Sequence, residues 1–263
     1  MPSMDTPTPD LSLVVPIWKG ESFVKDRFAF LSRFLQQSGL SYEILPVDDG
    51  SPDRTREVLH SLDLPSVYPI TNVPHLGKFG AIREGMKRTR GHVCVFTDAD
   101  IPYDLAALPY LVSQIRDRGL HLAIGDRTLQ GSSYAETLPP LRRLATSAFT
   151  LAIRLLVTGG LFDTQCGLKA FRGDVARALF PLLKENGFAG DVEVLYVALK
   201  YNLEIKRIPV KLRHHGPSSV NPIKHGIDMI RSIITLRGRW ADGAYRSEAL
   251  DAIASQDYGA YGS

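Results

Sequence analysis

Apolar residues in the N-terminal half gather in short runs, and each run closes on a polar cluster. Leu11 to Ile17 reads as a buried strand, and Tyr42 to Val47 as a second that ends on Asp48-Asp49-Gly50-Ser51. Pro46 suits the end of that strand and argues against a central place in a ladder. Ser66 to Thr71 predicts a third strand, and the β-branched run His92 to Thr97 a further one that ends on Asp98-Ala99-Asp100. Between the strands, Ser22 to Gln37 sets Phe23, Arg27, Phe30, Leu31, Phe34 and Leu35 near helical spacing, with Gly39 as its stop. Asp53 opens a second helix toward Leu62, and Lys78 to Thr89 predicts a third. Beyond Gly125 the alternation weakens into helices near Leu141 to Val157 and Asp191 to Tyr201, with a strand near Glu204 to Val210. The ends carry less pattern. Residues 1–10, rich in Pro and Thr, predict disorder, and 241–263, rich in Gly, Ala, Ser and Tyr, predict a flexible tail.

Strands alternating with helices predict one α/β domain over residues 11–240, a mostly parallel sheet with helices on both faces. In such sheets ligands sit outside the carboxyl ends of the strands, where both acidic clusters fall. The 263 residues, 44% hydrophobic and 22% charged, have an ordinary globular balance. A net charge of +3 without any run of like charges argues against a nucleic-acid partner. Cys94 and Cys166 make no disulfide framework or metal knuckle and predict a reducing, cytoplasmic setting. Met1 to Asp10 lacks the apolar stretch of a signal peptide. The longest apolar run, Ala145 to Phe162, carries Arg154 and ends on Gly159-Gly160, so it predicts no membrane crossing. Pro222 to Trp240 interleaves Ile223, Ile227, Ile230, Ile233, Ile234 and Leu236 with basic residues. That pattern fits an interfacial helix over 220–240, peripheral on the inner face of a membrane, or a core-packed helix with a solvated basic face.

Several clusters carry candidate chemistry. Asp98 and Asp100, one residue apart at a strand end, can converge on one hard cation, Mg²⁺ or Mn²⁺, together with substrate phosphate oxygens; the plainer reading is a polar turn that caps the next helix. Asp48 and Asp49 can accept hydrogen bonds from a nucleobase or ribose, or form an Asx-turn. Gly77-Lys78-Phe79-Gly80 precedes a helix and can hold a diphosphate through backbone N–H groups and one cation. The P-loop spacing is missing, and a loop glycine beside a solvated lysine is the alternative. Asp191, then Asp163 or Glu193, are candidate bases should the acceptor be a hydroxyl, while Asp191 equally suits a helix cap. An acceptor phosphate arrives ionised and needs cations instead, which Arg127, Arg142, Arg143 and Lys169 can supply. Of His214 and His215, one can complete a metal shell; both also suit a solvated loop. Cys166 reads as structural.

The segments Pro16-Ile17-Trp18-Lys19-Gly20-Glu21, Asp48-Asp49-Gly50-Ser51, Gly77-Lys78-Phe79-Gly80-Ala81 and Asp98-Ala99-Asp100 occur in that order. Asp163-Thr164-Gln165-Cys166-Gly167-Leu168-Lys169-Ala170-Phe171 and Gly190-Asp191-Val192-Glu193 follow. Together they resemble family 2 glycosyltransferases, and within them the polyprenyl-phosphate sugar synthases, dolichyl-phosphate glucosyltransferases above all. The likeness runs from about Leu11 to Trp240. It implies a GT-A fold, a nucleoside-diphosphate sugar donor with UDP-glucose favoured, inversion at the anomeric carbon, and a polyprenyl phosphate acceptor at a membrane surface.

The resemblance implies a nucleoside pocket of Pro16, Trp18, Glu21, Asp48 and Asp49, with Lys78, Asp98 and Gln165 along the rest of the donor. It puts Asp98 and Asp100 at the metal, where His215 is a further candidate ligand, and Arg127 beside the phosphates. Arg142 or Arg143 matches an arginine associated with the acceptor phosphate, and Lys169 and Ser218 are read on the same side. Asp100, Arg127 and Asp191 form the expected catalytic set. The chain departs from the pattern in four places. One extra residue precedes Glu21, Phe79 stands at a customary glycine, Gly216-Pro217-Ser218-Ser219 lacks a lysine, and no spanning anchor is expected. Two other readings stay open: the same donor chemistry on a soluble hydroxyl acceptor, and a non-catalytic nucleotide-sugar-binding protein.

Overall fold

Alternate residues of β1 (Leu11–Ile17) enter opposite cores, which is why the strand reads as one apolar run: Leu11, Leu13, Val15 and Ile17 face one side and Val14 the other. The computed structural model describes residues 7–132, 163–187, 189–212, 232 and 234–260. The remaining strands are β2 (Tyr42–Asp48), β3 (Ile70–Thr71), β4 (Val93–Phe96), β5 (Leu122–Asp126), β6 (Lys169–Arg172) and β7 (Ile205–Pro209). They form a 7-stranded sheet in the order β3-β2-β1-β4-β6-β5-β7. The chain runs outward from β1 to β2 and β3, then returns to lay β4 on the other side of β1, all four parallel. β6 runs against both β4 and β5, while β7 is parallel to β5. The sheet is therefore mostly parallel, as expected. Local periodicity carries no signal for the direction of β6.

Helices α1 (Val24–Gln37), α2 (Thr55–His60) and α4 (Ala107–Arg118) cover one face. Helices α3 (Lys78–Met86), α5 (Gly173–Leu179), α6 (Gly190–Lys200) and α7 (Glu248–Ala260) cover the other. Helix α4, strands β5 and β6 and helix α5 are not among the elements expected from the hydrophobic pattern. Among the described residues no helix is long and apolar enough to cross a membrane.

Three expectations are corrected. Pro46 does lie inside the sheet, opposite Val15. Ile44 N–H donates to Ser66 O on the β3 side, and a two-residue step turns Pro46 the same way. Its missing N–H thus falls in the gap between the isolated bridge Ile44↔Val67 and the short β3, where no ladder bond is lost. At the start, Asp10 accepts from Ser41 N at 2.9 Å and Pro9 O accepts from His92 N at 2.9 Å, so order begins before Leu11. Of the expected tail, residues 241–260 are not loose: Tyr245, Leu250 and Ile253 are buried in the core and α7 occupies most of this stretch. Of the predicted helix over 220–240, residues 232 and 234–240 are described and helical, with Leu236 buried and Ile234 67% exposed. Arg142, Arg143, His214, His215, Ser218 and the helix expected near 141–157 lie outside the described residues.

Candidate active site

The order reversal on either side of β1 makes a crevice at the strands' carboxyl ends, and the predicted acidic turns meet there. Two loops carry the residues expected at the nucleoside and are stitched together. Lys19 N donates to Ser51 Oγ (3.0 Å), Gly20 N to Thr55 Oγ1 (2.7 Å) and Arg54 N to Glu21 Oε2 (3.2 Å). Glu21 is exposed and braces the start of α2. Pro16 is buried within β1 opposite Val47, and Asp48 accepts from Ser51 N at 3.0 Å. Asp49, expected to read the donor, spends its carboxylate on its own protein. It accepts from Gly77 N (2.7 Å), Leu76 N (3.0 Å) and Asn72 Nδ2 (3.2 Å), lies 2.7 Å from His75 Nδ1, and is 2% exposed. Trp18, 43% exposed, packs against His75 with ring centroids 4.1 Å apart and planes tilted by 37°. His75 is absent from the sequence-derived set, because nothing in its spacing marks it.

Gly77 caps α3 with φ 90°, a conformation that glycine adopts freely. The first N–H groups of that helix do not wait for a phosphate: Phe79 N and Gly80 N both donate to Asn186 O, at 2.8 and 3.2 Å. What this turn still offers an anion is the Lys78 ammonium, which is 2.5 Å from Asp98 Oδ1. Burial works to lower the Lys78 pKa, but Asp98, then Asp191 and Asp100, outweigh it and raise it. Asp100 lies at the exposed edge, yet crowding by the protein and then the like charge of Asp98 push its carboxyl above the ordinary range. Asp98 is roofed by Gly167, where any Cβ would overlap its carboxylate.

Among the described residues no third His, Cys, Asp or Glu joins this pair to make a closed metal cage. Two carboxylates at a strand end nevertheless fit Mg²⁺ or Mn²⁺, which bind through one or two carboxylates and complete their shells with substrate phosphate and water.

Because β6 is antiparallel, its leading end and the loop 163–168 arrive at the same carboxyl-end crevice. Gln165 is half-buried on that loop. Asp163 holds Arg127 in a two-pronged ion pair, Nε to Oδ2 and Nη2 to Oδ1 both at 2.7 Å, and also accepts from Arg127 N at 2.9 Å. Burial disfavours the Asp163 charge, but Arg127 outweighs it and keeps the carboxyl below its usual range. Tyr103, buried, accepts from Gly167 N at 2.9 Å and pins the loop. Burial pushes the Cys166 thiol up to about 11, so it is no nucleophile.

Lys169, expected at the acceptor, is fully buried; it donates to Asp191 Oδ1 and Cys166 O, both at 2.6 Å. A lysine ordinarily keeps to solvent or a ligand; here the register opposite Phe96 places it inside. Asp191 lies in the first turn of α6 and does not cap it. Glu193 accepts from Lys184 N (3.0 Å), Glu185 N (2.8 Å) and Tyr245 Oη (2.6 Å), which removes it as a base.

A doubly wound sheet with a paired-carboxylate turn and a lysine at its switch point is the arrangement by which open α/β sheets bind ligands. Residues 12–180 match the pattern described as Glycosyl transferase family 2, and the chain belongs to that family. It is 31% identical over 264 aligned positions to dolichyl-phosphate beta-glucosyltransferase of Homo sapiens, covering 94% of this chain and 81% of that one. The Dictyostelium discoideum dolichyl-phosphate beta-glucosyltransferase is 30% identical over 251 positions, with 90% and 76% covered. Among solved structures, mannosyl-3-phosphoglycerate synthase from Rubrobacter xylanophilus aligns with a TM-score of 0.63 at 18% identity, over 89% of this chain and 74% of that one. Glucosyl-3-phosphoglycerate synthase from Mycobacterium tuberculosis, crystallised with Mn²⁺, UDP-glucose and phosphoglyceric acid, gives 0.62 at 18% identity, over 87% and 79%. These two likenesses bear on the fold alone.

Proposed function

We propose that this glycosyltransferase moves glucose from UDP-glucose onto a polyprenyl phosphate with inversion. An acceptor phosphate oxygen attacks the anomeric carbon from the face opposite UDP; the new C–O bond forms as the bond to the β-phosphate oxygen breaks, and UDP leaves with the electron pair. The acceptor class is supported by one observation. Asp163 is locked to Arg127, Glu193 is saturated, and Asp191 shares its charge with Lys169 in a buried ion pair, so none of the carboxylates named as a base stands without a partner. That suits a nucleophile that arrives ionised and needs no proton removed. The relatives named as dolichyl-phosphate beta-glucosyltransferases favour the same acceptor and sugar.

Within this reading Trp18 and His75 present an aromatic surface to the nucleobase, and Lys78 neutralises and orients the diphosphate. Arg127, held by Asp163, faces the developing charge as a fixed cation. Asp98 and Asp100 would hold Mg²⁺ or Mn²⁺, which supplies charge neutralisation at the departing nucleoside diphosphate. The test is incubation of the purified protein with a panel of labelled nucleotide-sugars and polyprenyl phosphate in vesicles, followed by organic extraction. Label is expected in the lipid phase from UDP-glucose, and its loss on chelation. Donor hydrolysis without lipid product, or label on an added alcohol instead, overturns the acceptor.

A further inference from the structure

The Lys169–Asp191 pair is the most deeply buried ion pair among the described residues, with side chains 0% and 2% exposed and 2.6 Å between charged atoms. Two charges removed from water are expensive to keep unless each is held in place. Lys169 is held from three directions: by Asp191, by Cys166 O at 2.6 Å, and by the Phe96 ring, whose centroid is 5.4 Å from the ammonium. It thereby joins the first residue of the reversed strand β6 to the first turn of α6, across the end of β4. On its other side Asp191 acts on Lys78, whose charge it stabilises second only to Asp98. Charges thus alternate inward from the donor turn: Asp98, Lys78, Asp191, Lys169. Among the described residues Asp191 accepts a hydrogen bond from Lys169 alone, through one of its two carboxylate oxygens.

We propose that Lys169 is a positioning residue that acts through Asp191, fixing that carboxylate so that its second oxygen faces Lys78 and a hydroxyl of the donor sugar. This rests on the donor reading above. Lys169 is then neither an acceptor ligand nor a mere filler of the core, and Asp191 is an orienting acceptor of hydrogen bonds rather than a base.

Four proteins decide it: wild type, Lys169→Met, Asp191→Asn and the double variant, measured for transfer from UDP-glucose, for UDP binding by calorimetry and for melting temperature. Lys169→Met and Asp191→Asn should each lower kcat about 10²-fold, as expected for a misplaced orienting group, with the donor KM within about threefold. The double variant should lose no more than the worse single. It should also regain the melting temperature lost in Lys169→Met, since no unpaired charge remains buried. Multiplicative losses overturn the proposal, as does a Lys169→Met enzyme with normal kcat, or a double variant that recovers activity along with stability. Should Lys169→Met not fold, equal kcat in Asp191→Asn and the double variant supports the proposal and a further drop in the double overturns it. A wild type that binds UDP but neither binds nor consumes UDP-glucose sinks the donor reading instead, which these comparisons keep separate.

Discussion

Phe79 and Gly190 occupy one space: a Cβ on residue 190 would overlap the Phe79 ring, which is itself fully buried against Phe96 and Phe180. The residue that departs from the resembled pattern is therefore accommodated by a glycine at the start of α6, next to Asp191. Gly190→Ala should destabilise by about 1–3 kcal/mol through overpacking, and Phe79→Ala by about 3–5 kcal/mol through the cavity it leaves. In the double variant the new methyl has room, so the summed cost should not be reached. Urea unfolding of the four proteins reads this directly, and strict additivity would show that the residues do not share space.

Gly167 stands against Asp98 in the same manner, but its partner is a site residue. Gly167→Ala should leave the circular dichroism spectrum and melting largely intact while displacing the Asp98 carboxylate. Transfer should drop by about 10²-fold or more, comparable to Asp98→Ala or Asp100→Ala, because preorganised charge at the leaving group is lost. A Gly167→Ala enzyme with wild-type kcat and unchanged response to Mn²⁺ would show that Asp98 does no work at the donor.

The ion pair of Asp163 and Arg127 sets an acid limit. The Asp163 carboxyl lies below its usual range because Arg127 outweighs the cost of burial. A carboxyl lowered on folding contributes stability that is complete above its unfolded value, near ~4, and is lost as pH falls through the folded one. At pH 7 Asp163→Asn should cost about 3–5 kcal/mol, leaving Arg127 unpaired in a largely closed site. That gap should shrink steadily below about pH 4. Denaturation at a series of pH values tests it; a gap independent of pH would remove the ion pair from the explanation.

The turns at Asp48-Asp49 and Asp98-Ala99-Asp100 could be read because an apolar run followed by acid is a local pattern, and parallel α/β sheets put such ends together. What Asp49 does could not. Its partners Asn72, His75, Leu76 and Gly77 come from a loop more than twenty residues on, and only the fold brings them near. Lys169 was hidden for another reason: a side chain that ordinarily seeks water says nothing locally about a buried carboxylate waiting for it across the sheet. Helix α7 left a weak trace, Leu250 and Ile253 at helical spacing, which the surrounding Ala, Ser, Gly and Tyr obscure.

Trp18 and Asp49 should separate donor contact from loop support. Trp18→Ala or His75→Ala should weaken UDP binding by about 1–3 kcal/mol, the usual worth of one stacked base, with little change in melting. Asp49→Asn should instead lower the melting temperature, since Leu76 N and Gly77 N lose a charged acceptor. Calorimetry and thermal melts on the three variants give the comparison; normal UDP affinity in both ring variants would remove the aromatic pair from the nucleoside site.

The family pattern ends at residue 180, but the floor under the site does not. Asp191 stands on a helix whose next acidic residue, Glu193, is gripped by Tyr245 Oη at 2.6 Å, while Arg239 clamps Glu185 at 2.7 Å just ahead of that helix. A chimera or minimal domain cut at the pattern's edge would inherit the donor turns without the footing that keeps Asp191 in register. As an engineering object, the smallest working module should run through α7, and grafts between family members should exchange the C-terminal segment together with α6 as one cassette.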